Sequence, residues 1–330
     1  MYRRSFQPTP DLPPPLRPDL GLALQGGGAY GAFAWGVLDR LLEEKRFAPI
    51  AISGASAGAL NAAAMASGLV TGGHEGARAA LAALWAGVAA MPFLKLLGTP
   101  GAHLHLDLLT RLMSPYQFNP LNINPLRDLL EQLIDFEALR RRGRVALYLS
   151  ATNARTGDPR IFRETEISVE VLLASACLPH LHQAVEIAGE TYWDGGFSAN
   201  PPLLPLALET QCRTLLLIKL TPDSEQEVPT KAQPIFARMK RLLFNTPLRC
   251  DLDSLAQMQA QLRKTRRLPL DLRRLRELEV AQIAVDNHFF EPDAETDRPA
   301  ELITQLHAAG RRAAERMMGL AVQETASVMA

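Results

Sequence analysis

Cysteine is scarce, three in 330 residues. Cys177, Cys212 and Cys250 are odd in number, lie 35 and 38 positions apart and form no CxxC pair. That spacing argues against a disulfide framework or a zinc knuckle, and for reduced thiols in a cytosolic compartment. Net charge is absent as well: Lys plus Arg and Asp plus Glu are both 35. No global field draws in nucleic acid, and a charged partner has to be met locally. The longest uncharged apolar run, residues 79–94, is 16 residues long and interrupted by Pro92, short of the roughly 18 to 20 needed to cross a bilayer. An integral membrane protein is therefore not expected, although a chain of this kind is free to rest on a membrane surface. The N-terminus has basic residues but no apolar run behind them, and its first 18 residues hold six prolines. It reads as a solvated, partly polyproline arm rather than a signal peptide. With 47% hydrophobic and 21% charged residues, and no Gly/Ser linker, the rest has the composition of a folded chain with a substantial core.

Its order supports an α/β fold. LGLALQ (20–25) is a short apolar run between the proline arm and three glycines, a buried strand by pattern. The segment after Gly31 has helical spacing, with Phe33, Val37, Leu38, Leu41 and Leu42 on one side. PIAIS (49–53), GASAG (54–58) and a small-residue helix ended by Gly72 and Gly73 repeat strand, turn and helix. Two such units in succession predict a parallel sheet covered on both faces. Further strands are predicted at 144–151 and 160–163, a hairpin ending at Asp194, and strands at 213–220 and 280–285 in the same sheet. Helices are predicted at 127–142, at 168–176, through most of 231–279 and over 298–320.

Three glycine-containing motifs carry the chemistry. Gly26, Gly28 and Gly31 satisfy GxGxxG between a strand and a helix, the setting of a dinucleotide loop. The second strand, however, ends in Ser53-Gly54-Ala55-Ser56 with no ribose-binding acid, and no Gly-Lys-Ser/Thr follows to make a P-loop. What the loop does offer is three successive glycines, Gly26, Gly27 and Gly28, whose N–H groups are able to converge near a positive helix end. Such an arrangement serves a phosphate or a transition-state oxyanion, or is simply a tight turn. Gly54-Ala55-Ser56-Ala57-Gly58 matches GxSxG between strand and helix, where a serine is thrust out on a sharp turn; Ser53 is the poorer candidate. Asp194-Gly195-Gly196 puts a carboxylate at a strand end, or forms an ordinary Asp-Gly turn. Serine needs a base. Of the seven histidines, His103 and His105 lie in an irregular segment, His180 and His182 flank a loop near Asp194, and His288 follows a strand. An order Ser56, Asp194, His288 would imitate a hydrolase triad, but only two strands precede Ser56.

QGGGAYG, GASAG and DGG, in this order and at these separations, resemble the patatin-like phospholipases. The resemblance covers roughly residues 20–205 and includes LLASACLPH and Asn200-Pro201. It implies a Ser-Asp dyad without histidine, with Ser56 as nucleophile, Asp194 as general base and Gly26, Gly27 and Gly28 as the oxyanion loop. Gly31, Gly54, Gly58, Gly195 and Gly196 support the motifs. For Asp194 to act as a base it must be partly desolvated, because an ordinary carboxylate, with a pKa of about 3.9, is feeble toward a hydroxyl. Gln25 stands where many relatives have aspartate, and Tyr30 where an arginine is frequent; neither change removes a backbone donor.

The expectation is a single α/β domain over 19–320, with a mainly parallel sheet sandwiched between helices in the patatin manner. Its motif-bearing core is 20–205 and it has a helical C-terminal extension, a disordered proline-rich arm at 1–18 and a flexible tail at 321–330. Its expected function is lipid acyl hydrolysis through an acyl-serine, with no metal and no cofactor, on a lipid or ester substrate. The expected place is cytoplasmic, in peripheral contact with a membrane, with no nucleic-acid partner. A nucleotide-binding or regulatory module using GxGxxG, and a histidine-dependent esterase using His288, are the alternatives. The basic segment 262–278 reads as an anionic-lipid contact or a solvated helix face, and 81–97 as an interfacial lid or a core helix.

Overall fold

Alternation along the strands decides the architecture. In β1 (Leu20–Leu24) Leu20, Leu22 and Leu24 point into one apolar layer, while Ala23 points into another. In β7 (Thr214–Lys219) Leu216 and Ile218 join the first layer and Leu215 and Leu217 the second. A strand with both faces apolar must be covered on both sides, and here helices cover both. The computed structural model describes residues 16–91, 112–222, 224, 228–290 and 299–319.

The remaining strands are β2 (Ala51–Ala55), β3 (Ala146–Asn153), β4 (Pro159–Arg163), β5 (Val185–Ile187), β6 (Glu190–Asp194) and β8 (Glu279–Ala284). They form one sheet in the order β5-β6-β3-β2-β1-β7-β8, with β4 also paired to β3. The pairs β3/β2, β2/β1, β1/β7 and β7/β8 are parallel, and β3/β4, β3/β6 and β5/β6 are antiparallel. The chain leaves β1 toward β2 on one side and returns to its other side as β7. The carboxyl end of β1 is thus a topological switch point, where open α/β sheets place ligands.

On the first face lie α1 (Gly31–Leu42), α2 (Ala57–Ala90), α4 (Pro125–Leu133), α6 (Val169–Ser175) and α10 (Pro299–Met317). α3 is a single turn at Pro115–Phe118, and α5 spans Phe136–Arg142. The second face is covered by α7 (Leu203–Glu209), α8 (Ala232–Arg263) and α9 (Leu270–Glu277). The alanine-rich start of α2 is fully buried, and small side chains let it lie close to the sheet.

Two details differ from the sequence reading. The helix expected at 127–142 is two helices, because Asp135 begins a new one by accepting a hydrogen bond from the Ala138 amide. Gly72 and Gly73 leave helical geometry between two helical stretches of α2, and beyond them Gly76 and Ala77 pack back against Gly68, so these glycines end the first stretch as expected. At the N-terminal arm, Arg17 donates to Glu279 Oε2 at 2.5 Å and to Thr214 Oγ1 at 3.2 Å, so this part of 1–18 is docked. The rest of that arm, the tail at 321–330, His103, His105 and the part of 81–97 beyond Met91 lie outside the described residues; before Met91, Leu81, Leu84 and Trp85 are core. No helix among the described residues is long and apolar enough to cross a membrane.

Candidate active site

Strand register brings Ser56 and Asp194 together. Ala55, the last residue of β2, pairs with Ser150, and the next residue of β3, Ala151, pairs with Asp194. Ser56 and Asp194 therefore emerge at the same end of the sheet on either side of β3. Ser56 Oγ donates to Asp194 Oδ2 at 2.7 Å.

The turn at Ser56 is strained. Its backbone has φ 51 and ψ −126, a left-handed conformation that non-glycine residues rarely adopt. Its amide donates to Ser175 Oγ at 2.9 Å, and it caps the N-terminus of α2, whose positive end favours negative charge developing at Oγ. Gly58 follows the turn because nothing larger fits: a Cβ there would stand 2.1 Å from the Leu24 carbonyl oxygen. Gly54, in β2, backs onto the same turn.

Asp194 is wholly buried, with no exposed surface. Its Oδ1 accepts from the Gly196 amide at 2.7 Å, its backbone amide donates to the Cys177 carbonyl at 2.8 Å, and its carbonyl accepts from Thr152 Oγ1 at 2.7 Å. Burial pushes its pKa up to about 7, against the opposing pull of the Gly196 and Ser56 donors and the Lys240 charge. The desolvation that a basic carboxylate requires is met. Gly195 and Gly196 open the short 3-10 helix that follows.

The glycine loop sits directly on the serine turn. A Cβ on Gly26 would lie 2.7 Å from the Ala55 carbonyl oxygen and 2.8 Å from Ser56 Cβ. The Gly26 amide, however, donates to Asn200 Oδ1 at 2.6 Å. The expectation of three open donors is therefore corrected at Gly26, whose N–H is already engaged; Gly27 and Gly28 have no acceptor in the hydrogen bonds among the described residues. Gly31 begins α1, and its carbonyl accepts from Asn61 Nδ2 at 2.9 Å.

Two residues support this loop in ways sequence reading did not assign. Asn200 Nδ2 donates to the Gly26 carbonyl at 3.3 Å and to the Phe244 carbonyl at 2.8 Å, so one buried amide ties the loop to α8. Gln25 Oε1 accepts from the Leu220 amide at 2.6 Å and from the amide and hydroxyl of Thr221, both at 3.1 Å. Gln25 thus pins the loop to the end of β7. The signals were its place beside the glycines and Asn200-Pro201 just after the aspartate.

The histidines are differently placed. His288 is paired with Asp286, its Nδ1 2.9 Å from Oδ1, and its side chain is 58% exposed. Desolvation holds His180 and His182 below the usual imidazole range. The partner of Ser56 Oγ is the carboxylate. Ser53 is buried within β2, its hydroxyl unpartnered. In the basic segment, Arg274 turns inward and donates to the Cys212 and Ala207 carbonyls at 2.8 and 2.9 Å. Among the described residues no cluster of three or more His, Cys, Asp or Glu is arranged to hold a metal.

Among solved structures, VipD from Legionella pneumophila is similar at 15% identity, with 92% of this chain and 67% of that chain covered and a TM-score of 0.41. No curated protein matches the chain. The model of the family described as patatin-like phospholipase matches residues 22–207, a span that holds the glycine loop, the serine turn and the buried aspartate. More than half of the chain lies within that match, and the chain belongs to the patatin-like phospholipases, a family of lipid acyl hydrolases.

Proposed function

We propose that this chain cleaves carboxylic esters of lipids through an acyl-serine intermediate on a Ser56-Asp194 dyad. The observation that carries the reading is the 2.7 Å hydrogen bond from Ser56 Oγ to a fully buried carboxylate. A base poised near the operating pH is the most effective proton acceptor, and burial moves Asp194 toward that range.

In the proposed reaction Ser56 Oγ attacks the ester carbonyl carbon as its proton passes to Asp194. The tetrahedral oxyanion is received by the Gly27 and Gly28 N–H groups, with Gly26 as the fixed base of the loop. The positive end of α2 adds to that field. Collapse breaks the bond to the alcohol oxygen, and Asp194 returns the proton to it. A water then attacks acyl-Ser56, giving its proton to Asp194, and as the intermediate collapses to the fatty acid Asp194 passes that proton to Ser56 Oγ, restoring the free serine.

Each role is filled by a protein group, so EDTA is expected to leave turnover unchanged. We place the reaction in a single domain spanning 19–320, in the cytoplasm and at a membrane surface, with no nucleic-acid partner. The test is fluorophosphonate labelling read by intact mass, alongside hydrolysis of a short-chain ester. A single adduct is expected on the wild type, none on Ser56→Ala, and slowed labelling of Asp194→Asn. Folded wild type giving neither adduct nor turnover would reject the proposal.

A further inference from the structure

The first half of α8 has two opposed faces. One is fixed beside the dyad: Phe244, Asn245 and Leu248 are buried, the Phe244 ring meets Phe197 with centroids 4.9 Å apart, and its carbonyl accepts from Asn200. Asn245 Oδ1 accepts from Thr221 Oγ1 and Gln25 Nε2 at 3.2 and 3.4 Å. The other face carries Ile235, Phe236, Met239, Leu242 and Leu243, which are 38%, 55%, 51%, 43% and 57% exposed. At 3.6 residues per turn these five lie within an arc of about 120°, centred roughly opposite the buried side chains. An exposed apolar stripe of that size marks a binding surface.

Charge identifies what it binds. From 231 to 250 the chain has Lys231, Arg238, Lys240, Arg241 and Arg249, and no acidic residue. Phe236, Arg238 and Arg241 also interact within the chain; Ile235, Met239, Leu242 and Leu243, with the exposed Lys231 and Arg249, suffice for the argument. On the helical wheel Arg249 flanks one edge of the stripe, with Lys231 at the N-cap of α8; Lys240 stands on the other edge, where burial lowers its pKa from the usual lysine value. A second copy would set this basic surface against itself, whereas an anionic lipid surface complements both the apolar stripe and its basic edges. Lys240 also lies near enough to the dyad for its charge to act on Asp194, so a surface seated here adjoins the site.

We propose that this face of α8 seats on an anionic phospholipid bilayer and presents the Ser56-Asp194 site to it. The proposal rests on the hydrolase reading for its purpose, but its test does not depend on turnover. The full chain is floated with vesicles of phosphatidylcholine containing about one-third phosphatidylglycerol, an anionic surface of the required kind. The wild type is expected to float. Met239→Glu/Leu243→Glu is expected to lose about tenfold or more of the bound fraction, while soluble-ester turnover stays within about twofold. Ile235→Ser/Leu242→Ser, a milder pair, should lose binding in the same direction, with near-UV circular dichroism confirming that both variants are folded. Leu270→Glu, on the separate basic segment, should bind as the wild type does.

Wild type that stays off the vesicles, or folded stripe variants that bind equally well, would overturn the proposal. So would a lipid-free dimer, seen by sedimentation velocity, that these substitutions dissociate; the stripe would then belong to a second copy. Vesicle binding lost in the stripe variants, with no ester turnover in any protein, would uphold the seating and count against the hydrolase reading instead.

Discussion

The Gly26 amide donates to Asn200 Oδ1 across 2.6 Å, and the same side chain reaches the Phe244 carbonyl with its nitrogen. Asn200 is therefore a brace between the glycine loop and α8. Asn200→Ala frees the Gly26 N–H and orphans buried groups, which typically costs about 1–3 kcal/mol. A loop no longer held in place is expected to lower kcat about 10- to 100-fold, with KM for a soluble ester little changed. Steady-state kinetics and urea unfolding check the two effects separately. Wild-type kcat in a destabilised variant would show that the loop keeps its shape without the brace.

The pH dependence follows from the buried carboxylate. Asp194, raised to about 7 by desolvation, must be ionised to take the serine proton. The acid limb of kcat/KM for a soluble ester is therefore expected to rise through an apparent pKa near about 7 rather than near 4. A profile flat from pH 5 to about pH 8 would argue against Asp194 as the titrating base.

Stability shows the opposite trend. Because the folded-state pKa is raised, the folded chain keeps a proton that the unfolded chain gives up between pH 3.8 and about 7, so stability falls as pH rises through that window. Asp194→Asn removes the penalty. The variant is expected to be inactive yet more stable than wild type at about pH 8, by about 2–4 kcal/mol, with the difference vanishing below about pH 4. Denaturant melts at the two pH values read the sign directly.

The turn at Ser56 predicts a second trade between activity and stability. With φ at 51, Ser56 holds a conformation that glycine adopts without penalty. Ser56→Gly is expected to lose at least about a thousandfold in turnover while gaining up to about 1 kcal/mol over Ser56→Ala. Equal melts for the two variants would mean that the strain is offset by the turn's own hydrogen bonds.

Much of this was legible along the chain. Alternation and glycine punctuation gave β1, the serine turn and the β5/β6 hairpin close to their positions, since each is a local pattern bounded by turn residues. The break between α4 and α5 was also written locally, in Asp135, but the helical spacing on either side masked it. The commitment of the Gly26 amide was not legible, because its acceptor lies 174 residues away and backbone donors carry no sequence signature. Nor was the exposure of Phe236 or Leu243: an apolar helical stripe ordinarily faces a core, and only the packing of Phe244 and Leu248 shows that α8 turns its other side inward.

The pairing of Ser56 with a carboxylate 138 positions later also bears on biosynthesis. A chain emerging from its N-terminus makes the strained turn early, yet that serine has no base until β6 has been laid against β3 and no braced loop until Asn200 has followed. Under the proposed mechanism, a nascent fragment ending before that point holds the serine without the dyad. On that mechanism turnover appears late in folding, and its onset during refolding times the docking of β6 on β3 and of Asn200 on the glycine loop.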